Sequence, residues 1–162
     1  AFGQLDGGLL AGYIAAQMAG AFCGAVGTWA AFRLHLEATE DPDRKLGVFS
    51  TSPAIRHTFS NFLTELIGTF VLAFGALAAS APTSSLGALD ALPVALLVAG
   101  IGMGLGGPTG YAINPARDLG PRIAHFVLPI SGKRDSDWSY AWIPVAGPIV
   151  GALLGAGLYS LF

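Results

Sequence analysis

Charge is absent from four long stretches of this chain, and no other feature restricts its fold as strongly. Residues 7–32, 66–89, 91–116 and 138–162 hold no Asp, Glu, Lys or Arg, over 26, 24, 26 and 25 residues. A transmembrane helix needs about 20 predominantly apolar residues. A helix on the surface of a soluble domain pairs its apolar stripe with a polar face, and these windows carry no such face. Only 11% of the 162 residues are charged and 53% are hydrophobic, whereas soluble domains carry roughly 25% charged residues. Mean hydropathy is +0.62. Eight Lys and Arg against ten Asp and Glu leave no basic surplus to grip nucleic acid, so none is expected as a partner. The single cysteine, Cys23, excludes a disulfide framework and a Cys-based zinc site. No metal and no cofactor are expected. The composition points to an all-α, multi-pass integral membrane protein in contact with lipid.

Spanning helices are expected over 9–33, 58–80, 92–106 and 140–162. The first carries Gly12, Ala16, Gly20 and Gly24 and the last Gly147, Gly151 and Gly155. Small residues at that spacing let helix backbones approach closely in lipid. Between the first two helices, Glu37, Glu40, Asp41, Asp43, Arg44 and Lys45, with Pro42 and Pro53 as breakers, read as a solvated loop. The link over 80–93 is turn-rich, with Pro82, Ser84, Ser85 and Gly87. No His and Asp accompany the two serines, so hydrolysis has no support. Residues 129–137 form a second polar loop. Trp29, Trp138 and Trp142 fall near window ends, as interfacial aromatics do. His35 and His57 have no ligand-spaced partners, and packing or an interface is the expected role for His125, ahead of pH gating.

Residues 107–122 break the helical pattern inside an apolar region, with Gly107, Pro108, Gly110, Pro115, Gly120 and Pro121. Non-helical backbone at membrane depth survives only where protein buries it or where it lines a wet cavity. This segment is therefore the functional candidate. Asn is a favoured helix N-cap and Pro a favoured first residue, so Asn114-Pro115 predicts a short helix ending near Leu128. Its N-terminus presents unpaired N–H groups and a partial positive charge that opposes cations. The Asn114 amide, held by capping, is free to donate. Extended residues Gly110, Tyr111 and Ala112 offer carbonyl acceptors. Arg117 on the first turn brings a charge that costs about 2.5–3.5 kcal/mol at mid-membrane, and is expected to line a wet path or to pair with Asp118. Donors facing acceptors along a narrow path suit water or a polyol.

The run Gly110-Tyr111-Ala112-Ile113-Asn114-Pro115-Ala116-Arg117-Asp118-Leu119-Gly120-Pro121-Arg122 resembles the second Asn-Pro-Ala signature of the aquaporin family, and within it the glycerol facilitators. Gln17 to Cys23 resembles the family's third helix and Phe49-Ser50-Thr51 the connection to the fourth. Glu65 resembles its buried fourth-helix glutamate, and Gly147 to Gly151 its sixth helix. The resemblance implies an aquaporin-like fold of four transmembrane helices and one re-entrant half-helix. That is the later part of a six-helix inverted-repeat fold, with third helix 9–33, fourth 58–80, fifth 92–106, re-entrant loop and half-helix 107–128, and sixth 140–162. The chain as a whole, 1–162, is then a partial channel domain. It begins at Ala1 rather than Met, and a preceding portion is expected.

By the same resemblance, Asn114 donates to the solute, Arg117 is the filter arginine and Tyr111 a filter wall. Gly102 stands where water-selective members have His, which leaves room for carbon-backed solutes. Asp118, Arg122, Pro144 and Val145 are glycerol-type markers. Pro115 and Ala116 support the half-helix, and Glu65 accepts from loop N–H groups. The implied activity is passive passage of glycerol and other small neutral solutes such as urea, with some water, and no enzymatic reaction. The alternatives are a water-selective channel and a non-conducting truncated fragment. The implied setting is the plasma (cell or inner) membrane, as a homotetramer when complete. Arg33, Arg44, Lys45 and Arg56 in the first loop would place it in the cytoplasm by the positive-inside rule. The family places it outside, and we follow the family.

Overall fold

The computed structural model describes residues 7–79 and 87–162. The expected turn residues Pro82, Ser84 and Ser85 lie outside the described residues. Among those described there are seven α-helices and no strand: α1 (Gly7–Ala31), α2 (Arg33–Ala38), α3 (Pro42–Gly47), α4 (Thr58–Ala79), α5 (Leu92–Thr109), α6 (Pro115–Val127) and α7 (Ile143–Tyr159). α1, α4 and α5 are long and apolar enough to cross a membrane, and α7 is a shorter apolar helix. Only 6%, 17% and 11% of the apolar windows of α1, α4 and α5 are buried. Leu96, Met103 and Leu153 stand exposed. Exposed apolar surface of this extent marks contact with a membrane or with other protein. α6 has 13 residues and so spans about 20 Å, short of the roughly 30 Å hydrocarbon layer.

The chain forms two compact units, Ala1–Ser52 with Asn114–Val145, and Pro53–Ile113 with Ala146–Phe162. In the first, α1 packs on α6. Gly120 makes this possible. A Cβ there would lie 2.8 Å from Ala21 Cβ and 3.2 Å from the Met18 carbonyl oxygen. The face of α1 that meets α6 is therefore that of Met18, Ala21 and Phe22. The expected stripe is not the contact: Gly12, Gly20 and Gly24 meet nothing within 4 Å.

The expected solvated loop of this unit is largely helical and partly buried. Asp41 caps α3 by accepting from the backbone N–H of Asp43 at 2.8 Å and of Arg44 at 3.4 Å, with Pro42 in the first turn. Asp-Pro is here a helix start rather than a break. α2 gains an i,i+4 pair, Arg33 Nε to Glu37 Oε1 at 3.0 Å. Leu36 and Phe49 join Ala25, Ala124 and Ile130 in a core, with Trp29 packed against it. Lys45 is buried and donates to the Ser131 carbonyl. Arg134 pairs with Asp43 and Asp135, and the bond to Asp43 raises its pKa.

In the second unit α4 packs on α5 and the glycines of α7 face α4. A Cβ at Gly147 would lie 2.8 Å from Glu65 Cβ, and one at Gly155 would lie 2.7 Å from the Phe70 carbonyl oxygen. At Gly151 it would strike the Leu66 carbonyl. Here the small-residue spacing does mark close backbone contact. α5 runs three residues past its expected end, through Gly107 and Pro108 to Thr109. Pro108 disfavours helix by its missing N–H and its ring, yet it lies in the last turn, where α5 ends one residue later, and its carbonyl accepts from Ala54 N–H at 3.0 Å. α7 starts at Ile143 rather than 140, because Pro144 suits a first turn and not an interior.

Gly151→Ala is expected to loosen α7 from α4 and cost about 1–3 kcal/mol. Gly24→Ala, with open space around it, should hold or raise stability, since Ala is the better helix former by about 1 kcal/mol. Thermal melts of the two variants in detergent give opposite shifts if the packing is as described.

Candidate re-entrant segment and its supports

The segment that precedes α6 is built around one carboxylate. Glu65, fully buried in α4, accepts from the backbone N–H of Ala112 through Oε1 at 3.0 Å and of Ile113 through Oε2 at 2.7 Å. The route into this turn is left-handed. Gly110 closes α5 at φ 76°, and Tyr111 and Ile113 stand at φ 42° and 43°. Non-glycine residues there cost about 1–2 kcal/mol each, whereas a hydrogen bond to a charged group contributes about 1.5–3 kcal/mol. Two such bonds offset the strain. A planar trans peptide points its C=O opposite its N–H. Fixing the Ala112 and Ile113 N–H groups on Glu65 therefore turns the Tyr111 and Ala112 carbonyls away from it. Gly68 admits the Ile113 side chain, since a Cβ there would lie 2.9 Å from Ile113 Cγ2. The Tyr111 ring lies against Gly102, with its Cζ 3.0 Å from where a Cβ would stand.

A cavity of about 640 Å³ in this same unit is bordered by Ile55, His57, Asn61, Thr64 and Pro108. None of the expected site residues lines it. His57 Nδ1 accepts from the Ser60 N–H at 3.2 Å, which caps the start of α4.

In the first unit, Asn114 is extended, at φ −157° and ψ 118°, and Pro115 follows in the first turn of α6. Asn114 Oδ1 accepts from Ala116 N–H at 2.9 Å and Arg117 N–H at 3.4 Å. With its oxygen so engaged, the amide presents its NH2. Arg117 is exposed, and it does not pair with Asp118. Asp118 is wholly buried. Its Oδ2 accepts from Thr51 N–H at 2.8 Å and Thr51 Oγ1 at 2.7 Å, and its Oδ1 from Arg122 Nε at 2.8 Å. Asp118 therefore lines no open path itself, and Arg117 is left without its adjacent carboxylate.

Arg122, also fully buried, has every donor placed. Nε and Nη2 bond Asp118, Nη2 also bonds the Thr51 carbonyl at 2.9 Å, and Nη1 reaches the Ser136 and Asp137 carbonyls at 2.7 and 3.3 Å. The far end of α6 is held by a cation. Lys133 Nζ donates to the carbonyls of His125, Phe126 and Leu128 at 2.5, 2.8 and 2.7 Å, where the helix dipole favours positive charge. Burial pushes the Lys133 ammonium below its ordinary pKa. His125 is packing, as expected: Nδ1 meets Ser136 Oγ at 2.8 Å and the ring lies 5.5 Å from Phe49. Sequence reasoning assigned no role to Thr51, Lys133 or Gly68. The Asp118–Arg122 spacing of four was the readable signal for that pair.

Apolar spanning helices and a capped helix too short to span define a multi-pass membrane protein with a re-entrant half-helix. Comparison agrees. The family model described as Major intrinsic protein matches residues 4–159. The chain is 54% identical over 158 residues to a probable glycerol uptake facilitator protein of Thermotoga maritima, covering 98% of this chain and 67% of that one. It is 57% identical over 148 residues to a glycerol uptake facilitator protein of Bacillus subtilis, covering 91% and 54%. The X-ray structure of the aquaglyceroporin from Plasmodium falciparum matches with a TM-score of 0.82 at 27% identity, over 96% of this chain and 65% of that one. The chain belongs to the major intrinsic protein family, and its all-helical fold is aquaporin-like. It is a protein of the cell membrane. It spans about 54% to 67% of the length of these relatives.

Removing one member of the Asp118–Arg122 pair strands a buried charge, which typically costs 3–5 kcal/mol (about that order). Arg122→Met alone should therefore melt far lower than the double variant Asp118→Leu with Arg122→Met. Equal melting of the single and double variants in detergent would contradict the arrangement.

Proposed function

We propose that the complete protein carrying this sequence is a passive channel for glycerol and similar small neutral solutes, with some water permeability. The observation that carries this reading is the Glu65-held turn. It directs the Tyr111 and Ala112 carbonyls away from their support, immediately ahead of a half-helix that starts at Asn114. Glycerol has a hydroxyl edge and a C–H edge. The Gly110, Tyr111 and Ala112 carbonyls would accept from its hydroxyls, while the Asn114 amide and the unpaired Arg117 guanidinium would donate to them. The Tyr111 ring would take the C–H edge, and Gly102 would leave the width that a His side chain would fill. Bound solute exchanges one set of hydrogen bonds for another and no covalent bond changes, so the protein is read as a channel and not an enzyme.

Pro115, Ala116 and Glu65 are supports in this reading. Asp118 acts through α6, by holding Thr51 to it and by orienting Arg122 on the Ser136 and Asp137 carbonyls. The positive start of α6 and Arg117 oppose cations. The relatives' names support glycerol as the solute. Water selectivity is the weaker reading, since Gly102 supplies no donor. Exposed Leu and Met on the long helices support direct contact with lipid. Assembly as a homotetramer is proposed from the family alone.

Arg117→Val in the complete channel should leave the protein inserted but weaken discrimination against cations and change glycerol flux by about tenfold, the effect of one lost charged donor of about 1.5–3 kcal/mol. Stopped-flow light scattering of proteoliposomes under a glycerol gradient, with a parallel proton-leak assay, reads both. Unchanged flux and unchanged leak would contradict the assigned role.

A further inference from the structure

We propose that Gly106 determines where the Tyr111 ring stands, and so sets the width of the channel at that wall. The inference rests on the channel reading above, which makes Tyr111 a wall residue. Gly102 and Gly106 lie one turn apart on the same face of α5. Gly110 then reverses the chain at φ 76°, and Tyr111 at φ 42° returns its side chain onto that face. The ring lies along both glycines. A Cβ at Gly106 would stand 3.1 Å from Tyr111 Cδ1 and 3.5 Å from Cε1. A Cβ at Gly102 would stand 3.0 Å from Cζ and 3.1 Å from Cε2. Favourable carbon contacts lie at about 3.5–4.0 Å. The two glycines therefore seat opposite ends of the ring: Gly102 the hydroxyl end, Gly106 the end nearest the backbone.

A methyl group at 106 must displace something. The α5 backbone beneath it is a hydrogen-bonded helix. Tyr111 is 38% exposed, so its ring is the part that can give. The ring moves outward by a few tenths of an ångström at its root, and the path narrows there. Gly104 provides the comparison, since it sits on the same helix with nothing within 4 Å. Alanine is the better helix former at both positions, so neither substitution threatens α5 itself.

The test uses the complete channel in proteoliposomes, with glycerol and water permeability measured by stopped-flow for five proteins: the unaltered channel, Gly106→Ala, Gly104→Ala, Tyr111→Ala, and Gly106→Ala combined with Tyr111→Ala. Gly106→Ala should lower the glycerol-to-water permeability ratio by about tenfold, the low end of discrimination by one methylene-sized difference. Gly104→Ala should leave the ratio unchanged. In the Tyr111→Ala background, Gly106→Ala should have no effect, because the ring it moves is gone. An unchanged ratio in Gly106→Ala overturns the inference. So does an equal effect in both backgrounds, which would mean that α5 packing and not the ring is responsible. If Tyr111→Ala alone leaves the ratio unaltered, the ring lines no path, and the wall reading falls together with the inference.

Discussion

A single buried carboxylate organises the non-helical backbone of this chain. Glu65 stands inside α4, where an ion without partners would cost several kcal/mol (about that order). Its two oxygens are taken by the N–H groups of Ala112 and Ile113, which in turn would be orphaned in an apolar interior without it. Neither side is stable alone. The turn they form holds two residues at positive φ, a conformation that no local preference of Tyr or Ile would select. The geometry of the candidate path is thus imposed from α4, some 47 residues earlier in the chain, and not by the segment's own sequence. The close approach of α7 through Gly147 to the Glu65 side chain packs that support from a second helix.

The half-helix α6 is held on different terms. Its start is capped by its own Asn114, with Pro115 preset for the first turn. Its middle is tied by the Asp118–Arg122 pair to Thr51 and to the Ser136 and Asp137 carbonyls, and its end is closed by Lys133. A 13-residue helix is marginal by itself in water, and packing plus these polar ties supply what length does not. The pair is expensive to desolvate, but every donor of Arg122 and both oxygens of Asp118 are satisfied. The pair thereby fixes α6 to Thr51 and to the Ser136 and Asp137 carbonyls through directional bonds.

The spanning helices were legible because lipid requires long uncharged windows, and those windows can be counted. The start of α6 was legible because Asn-Pro is a local capping signal. The stripe of Gly12, Gly20 and Gly24 on α1 shows that a close contact is possible and not which partner makes it, and α6 meets the face of Met18, Ala21 and Phe22 instead. The loop after α1 misled in the other direction. Asp41-Pro42 was read as a break, yet it caps α3, and Leu36 and Phe49 then enter a core that depends on Ala124 and Ile130 from far along the chain. The resemblance groups Asp118 with the filter residues as a glycerol-type marker directly after Arg117. Successive residues on a helix point about 100° apart, and that rotation carries Asp118 into the interior and leaves Arg117 outside. Thr51 acts through a contact 67 residues along the chain, which no local pattern announces, whereas Lys133 reaches back only five to eight residues, to carbonyls at the end of α6.

In the proposed channel the Glu65 carboxylate sets the direction of the Tyr111 and Ala112 carbonyls that a solute would use. Glu65→Gln tests it with little change of volume: one side-chain oxygen becomes an NH2 facing a backbone N–H, and a bond of about 1–3 kcal/mol is lost. Glycerol flux through the complete, inserted channel is expected to fall by about tenfold or more relative to the unaltered protein. Flux that stays within about twofold, with insertion confirmed, would mean that the turn holds without the carboxylate, and that the path depends on some other support.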